Sequence, residues 1–174
     1  MPPIKYRDHE RAEAVGARVF GSMDGTISTL AVIAGVAGAT TNNYIVLVAG
    51  VAAMLAEAIS MGFSSYSSAR VRERLVGHKR KLVQRSATEG TTFWLVTMVG
   101  GAIPLIPFLF DMGNLIYGLF LAVIFSTLFL FVIGFYTGKI TKRNALYEGL
   151  LNASIGLVAA AVTYTVGYII SSVA

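Results

Sequence analysis

The sequence predicts an all-α integral membrane protein with five transmembrane helices, its N-terminus cytoplasmic and its C-terminus on the opposite side. One membrane domain accounts for residues 1–174. The chain is 55% hydrophobic and only 13% charged, whereas soluble domains carry about 25% charged residues. Lipid is the solvent that suits such a composition. Five apolar stretches each reach the roughly 20 residues that a spanning helix requires. The 14 Lys and Arg residues fall in alternate connections between those stretches. Helices follow because lipid offers backbone polar groups no partner, and the runs lack the alternating polarity of a barrel.

The opening segment is mixed in charge, with Lys5, Arg7, Asp8, Glu10, Arg11, Glu13 and Arg18. It lacks the apolar run and small-residue cleavage site of a signal peptide, so the first span is expected to be retained. The spans are expected over about 19–39, 44–66, 91–110, 115–136 and 146–173. Spans 1 and 2 are joined by neutral Thr40-Thr41-Asn42-Asn43, which makes them antiparallel neighbours. Spans 2 and 3 are joined by a basic segment, 67–90, holding Arg70, Arg72, Arg74, Lys79, Arg80, Lys81 and Arg85. The connection at 111–114 is short and acidic, and that at 139–143 is short and basic. Every cationic side chain thus falls on one face, which the positive-inside rule makes cytoplasmic. The same charges set topology and touch anionic lipid headgroups, a reading that outweighs nucleic-acid binding. Val71, Leu75, Val76, Leu82 and Val83 lie among these charges. The segment is expected to continue span 2 as a helix and then lie on the membrane surface.

Glycine is common, at 18 residues. Gly21 and Gly25, and Gly134 and Gly138, are four apart, and Gly100 adjoins Gly101. Such spacings let helix backbones approach closely in lipid and permit a dimer. Span 3 contains Gly100-Gly101-Ala102-Ile103-Pro104-Leu105-Ile106-Pro107. Each proline removes a donor and clashes with the preceding turn, so a kink or break is expected there. It serves either simple shape adaptation or a cavity lined by freed carbonyls.

Two acids lie inside spans. A charge near the bilayer centre costs about 2.5–3.5 kcal/mol on insertion scales, so such a group is paired, solvated or functional. Asp24 is about 7–8 Å from the cytoplasmic start of span 1. Met61 in span 2 reaches a similar depth, with Glu57 one turn deeper on the same helix face. Ser60 and Ser64 flank that face as sources of hydroxyl or water. Asp24, Glu57 and Met61 can converge on one cavity. Two carboxylates with a thioether form a mixed hard and soft set suited to a divalent first-row metal such as Fe(II) or Mn(II). The ligands must be deprotonated to bind, which allows metal and protons to exchange. The alternatives remain open: Asp24 can cap or pair with Arg18, and Met61 alone reads as packing, as do Met23 and Met54. Glu148 is expected at the wet boundary near Lys142 and Arg143, and Asn152 to hydrogen-bond between helices. His9 and His78 are expected at the surface. No nucleophile–base pair, phosphate loop or redox motif is present. With no cysteine either, an enzyme is not expected.

Several fragments resemble the vacuolar iron transporter family. They are Met23-Asp24-Gly25, Gly35-Val36-Ala37-Gly38-Ala39, Ala58-Ile59-Ser60-Met61, Gly101-Ala102-Ile103-Pro104-Leu105-Ile106-Pro107 and Gly156-Leu157-Val158-Ala159-Ala160-Ala161. The likeness covers nearly the whole chain. It implies a five-helix homodimer that moves Fe(II), and often Mn(II), out of the cytosol in exchange for protons. It implies transport roles for Asp24 and Met61. Many members place a glutamate four residues after that methionine; here Ser65 stands there, and Glu57 lies four residues before it. Plant-type members carry a long glutamate-rich segment between spans 2 and 3, whereas here it is short and basic, with only Glu73 and Glu89.

The leading expectation is a carrier exporting divalent iron or manganese as substrate, with no resident cofactor and with Asp24, Glu57 and Met61 as path ligands. Protons, membrane lipids and a second copy of the chain are the expected partners. A prokaryotic plasma membrane or an intracellular compartment membrane is the expected location. A proton-linked carrier or channel for another cation, and a membrane assembly subunit without transport, are the alternatives.

Overall fold

The computed structural model describes residues 6–76, 82–110 and 114–173. Among them, all regular structure is helical: α1 (Tyr6–Ala39), α2 (Asn43–Val76), α3 (Leu82–Ala102), a 3-10 turn (Ile103–Leu105), α4 (Ile106–Phe110), α5 (Leu115–Ile140) and α6 (Ala145–Val173). Five stretches are long and apolar enough to cross a membrane: Ala14–Ala39, Asn43–Arg72, Ser86–Phe110, Leu115–Ile140 and Ala145–Val173. These are the five expected spans, lengthened at several ends. A helix propagates wherever the next backbone bond forms, whether or not the residue is apolar. The protein is an integral membrane protein.

Asparagine starts three of the spans. Asn42 Oδ1 accepts from the Tyr44 and Ile45 amides at 2.9 and 3.4 Å. Asn114 accepts from Ile116 and Tyr117, and Asn144 from Leu146 and Tyr147, each pair at 3.1 and 3.3 Å. Each side chain satisfies amides that the helix itself leaves without acceptors. The break expected in span 3 is present. Pro104 opens a buried 3-10 turn that separates α3 from α4. The turn keeps the chain hydrogen-bonded where proline forbids an α-helical bond.

Helix α1 is the central post, packed against α2, α3, α5 and α6, while α2 pairs with α3 and α5 with α6. Much of this contact is backbone on backbone. A Cβ on Gly25 would overlap the Thr97 carbonyl, one on Gly100 the Ser22 carbonyl, and one on Gly167 the Gly35 carbonyl. Along α1, Gly21 meets Phe93 and Thr97 while Gly25 meets Thr97 and Gly101, and Gly35 meets Thr163 while Gly38 meets Tyr164 and Tyr168, so α1, α3 and α6 run parallel. Lipid is as apolar as leucine, so such close fits, more than hydrophobic burial, hold membrane helices together. The exposed Leu, Ile, Val and Phe side chains on every span face the lipid.

The basic segment continues span 2 as a helix, as expected. Its described parts belong to two long antiparallel helices: α2 runs to Val76 and α3 starts at Leu82, with 77–81 outside the described residues. Gly62 and Gly90 set the two backbones together, and a Cβ on Gly62 would lie 3.1 Å from the Gly90 carbonyl. Arg72 pairs with Glu89 at 2.7 Å. That ion pair is half exposed and worth about 0–1 kcal/mol, so the glycine contact is the stronger reason for the hairpin.

Candidate metal-transport site

The helix register places Asp24 and Ser28 on one face of α1, one turn apart, and Glu57 opposite them on α2. The antiparallel hairpin made by the short 40–42 connection sets this depth match. Ser28 Oγ lies 2.6 Å from Glu57 Oε1 and 2.9 Å from the Asp24 main-chain oxygen. Through Ser28 the Asp24 turn of α1 and the Glu57 carboxyl of α2 are joined, and the two acids are electrostatic neighbours. All three residues are half-buried. Asp24 therefore turns toward Glu57, and among the described residues it makes no ion pair with Arg18.

Met61 lies one turn further along α2 and is half-buried, while Ser60, Ser64 and Ser68 are exposed. With Glu57 and Arg72 they form a polar stripe along α2 toward the basic end of the bundle. Met54, by contrast, packs against the glycine seam: a Cβ on Gly101 would lie 2.7 Å from its Cγ. Its bland assignment as packing material matches its place. Glu148 sits at the start of α6, 3.4 Å from Arg143, as expected of a boundary residue. Asn152 does not bond across helices. It donates to the Glu148 carbonyl of its own helix at 2.8 Å, because the close approach of Gly134 leaves its side chain room only along α6. His9 and His78 lie outside the residues whose side chains are described.

Toward the end of the bundle away from the basic residues, the interior is closed. Leu30, Ile33, Ala34, Val46, Leu105 and Phe108 form a buried apolar cluster. The broken segment of span 3 supplies Leu105 and Phe108, and both Ile33 and Leu105 press on Gly50 of α2. On the opposite face of α1 from the acids, Thr26 Oγ donates to the Ser22 or Gly100 carbonyl, at 2.8 and 2.9 Å. That bond couples α1 to α3 just before the break.

Among the described residues, no three His, Cys, Asp or Glu side chains converge. A cation held here would meet two carboxylates, with hydroxyl, carbonyl or water oxygen or the thioether sulfur completing its shell. Ser28 is the residue that sequence reasoning missed. Its signal was present: it lies four residues after Asp24, on the same helix face.

Comparison with known proteins gives the family of the chain. The VIT family model matches residues 15–89 and 71–168. An uncharacterized protein of Methanocaldococcus jannaschii is 26% identical over 151 residues, covering 76% of this chain and 77% of its own length. A vacuolar iron transporter of Toxoplasma gondii is 42% identical over 65 residues, covering 37% of this chain and 22% of that protein. One of Plasmodium falciparum is 38% identical over 64 residues, covering 36% of this chain and 23% of that protein. The matches thus span about a fifth of the length of these named transporters. With the family model matching nearly the whole membrane domain, this chain belongs to the VIT family, the vacuolar iron transporter family, whose members are transporters and not enzymes.

Proposed function

We propose that this protein carries divalent metal, Fe(II) or Mn(II), out of the cytosol in exchange for protons. The observation that carries the reading is the Ser28 hydroxyl that joins the Asp24 turn of α1 to the Glu57 carboxylate of α2 inside two membrane-spanning helices. Two acids at that depth cost several kcal/mol between them unless a cation or protons compensate. Metal and protons competing for the same carboxylates is the simplest antiport device, since a carboxylate must be unprotonated to bind metal. Carboxylate oxygens with one thioether, from Met61, suit Fe(II) or Mn(II).

The direction rests on charge. Arg18, Arg70, Arg72, Arg74, Lys139 and Arg143 belong to the same end of the bundle, where α1, α3 and α6 begin and α2 and α5 end. The positive-inside rule makes that end cytoplasmic. Metal enters along the serine-lined face of α2, reaches Asp24 and Glu57, and is released when the apolar cluster around Leu105 and Phe108 parts. A homodimer fits the reading, because a second copy set against α1 and α2 would shield the half-buried acids and the serine stripe from lipid.

The test is Fe(II) and Mn(II) flux into proteoliposomes under an imposed pH gradient, wild type beside Glu57→Ala. Flux that follows the gradient and falls at least tenfold in the variant is expected. Gradient-independent flux would remove the antiport. Flux unchanged by the substitution would return Glu57 to a structural role.

A further inference from the structure

From the Ser28 geometry we infer that this residue positions Glu57 for metal capture, holding the acid in place while the site is empty and releasing it when a cation arrives. The inference rests on the transport reading above. Ser28 Oγ is 2.6 Å from Glu57 Oε1 on α2 and 2.9 Å from the Asp24 carbonyl of its own helix. A serine hydroxyl has one proton and so donates to one acceptor at a time. The two acceptors differ in kind. A carboxylate oxygen makes a charge-assisted bond, roughly twice as strong as a bond to a neutral carbonyl. In the empty site the O–H therefore points across the helix pair and ties Glu57 to α1, where it offsets the repulsion between two facing acids.

A cation bound between the carboxylates draws electron density from Glu57 Oε1 and weakens its pull on the hydroxyl. Ser28 then has an acceptor already in reach. Turning about one bond, it donates to the Asp24 carbonyl, the bond that intramembrane hydroxyls elsewhere in this protein make by default. Thr26 bonds Ser22 O, Thr137 bonds Ile133 O, Thr163 bonds Ala159 O and Thr165 bonds Ala161 O, all four residues back. No donor is left unsatisfied in either state, so the tie releases at little cost. A lysine or arginine in this place would bind Glu57 too tightly and repel the cation. An alanine would leave the glutamate free to swing toward the serine-lined face of α2. A hydroxyl one turn after Asp24 answers both requirements, and Thr would answer them equally.

The experiment is Mn(II) influx into proteoliposomes as a function of Mn(II) concentration, for wild type, Ser28→Ala, Ser28→Thr and Asp24→Asn. Ser28→Ala is expected to raise the half-saturating concentration about tenfold while the maximal rate stays within about twofold, and Ser28→Thr to restore the wild-type value. Should Ser28→Ala fail to fold, Ser28→Val against Ser28→Thr makes the same comparison between side chains of one shape, with and without the hydroxyl. A fall in maximal rate at unchanged half-saturation, or a Thr variant as impaired as the hydroxyl-free one, overturns the positioning role. Flux lost in Asp24→Asn but indifferent to Ser28 overturns it while leaving the transport reading intact. Wild-type protein with neither Mn(II) nor Fe(II) flux overturns the transport reading and this role with it, and flux indifferent to Asp24 overturns the site and this role.

Discussion

Lys142 shows how local backbone geometry shapes a turn in this protein. Its φ of 57° makes it a non-glycine residue in the left-handed region. The reason is the way α5 ends. The Arg143 amide donates to the Gly138 carbonyl at 2.9 Å and the Lys142 amide to the Lys139 carbonyl at 3.4 Å, a closure that needs a left-handed residue just past the helix and usually takes glycine. Lysine there keeps a positive charge in the turn at a conformational cost of about 1–2 kcal/mol. Lys142→Gly is expected to stabilise the protein by about 0.5–1 kcal/mol, read as a higher unfolding midpoint in detergent. An unchanged or lower midpoint would mean that the lysine side chain makes up for its backbone. Ser28 is the functional counterpart: one hydroxyl four residues from Asp24 separates two acids that merely face each other from two acids held in a defined arrangement.

Among the elements, the α1–α3 seam governs the site. Asp24 faces α2 only because Gly25, its neighbour in sequence, is pressed against α3. A methyl group added at Gly100 would overlap the Ser22 carbonyl, whereas one added at Gly16 meets nothing within 4 Å. A backbone carbonyl on a neighbouring helix cannot rotate aside as a side chain does. Gly100→Ala is therefore expected to destabilise by about 1–3 kcal/mol and to lower metal flux by shifting α1. Gly16→Ala, which only replaces a poor helix former with a good one, should be neutral or slightly stabilising. Thermal unfolding of the two variants side by side makes the check, and equal behaviour would deny the seam its role. The proline break belongs to this scale too. It lets span 3 turn Leu105 and Phe108 onto α1, so the element that grips α1 beside the site also closes the bundle beyond it.

Across the whole molecule, topology and charge agree. The chain holds no cysteine, which makes single introduced cysteines clean reporters of sidedness. Thr41 and Arg74 are both exposed and lie at opposite ends of α2. A membrane-impermeant maleimide is expected to label Arg74→Cys from the cytoplasmic face and Thr41→Cys from the other. Labelling of both from one side would contradict the span count or the direction of transport drawn from it. The parallel run of α1, α3 and α6 places every described cation at one end of the bundle. The serine stripe and Glu57 of α2, with Asp24 opposite on α1, lie inward from that end, and Arg72 is drawn aside by Glu89 at 2.7 Å.

The five spans, the basic end and the break at Pro104 were all legible in the sequence. Hydropathy, charge and proline act on each residue through its own transfer energy or its own backbone, and such effects add along the chain without reference to neighbours. The same arithmetic set Glu57 one turn deeper than Asp24, and there it meets Ser28, one turn along α1 from Asp24. The tertiary structure decided what depends on how each helix is rotated about its axis. It turned Asp24 toward Glu57 instead of Arg18, brought Ser28 between the helices, kept Asn152 on its own carbonyl and joined the basic segment into a hairpin. Lipid surrounds every face of a spanning helix with the same solvent, so hydropathy leaves that rotation open. It is settled where glycines let one backbone touch another.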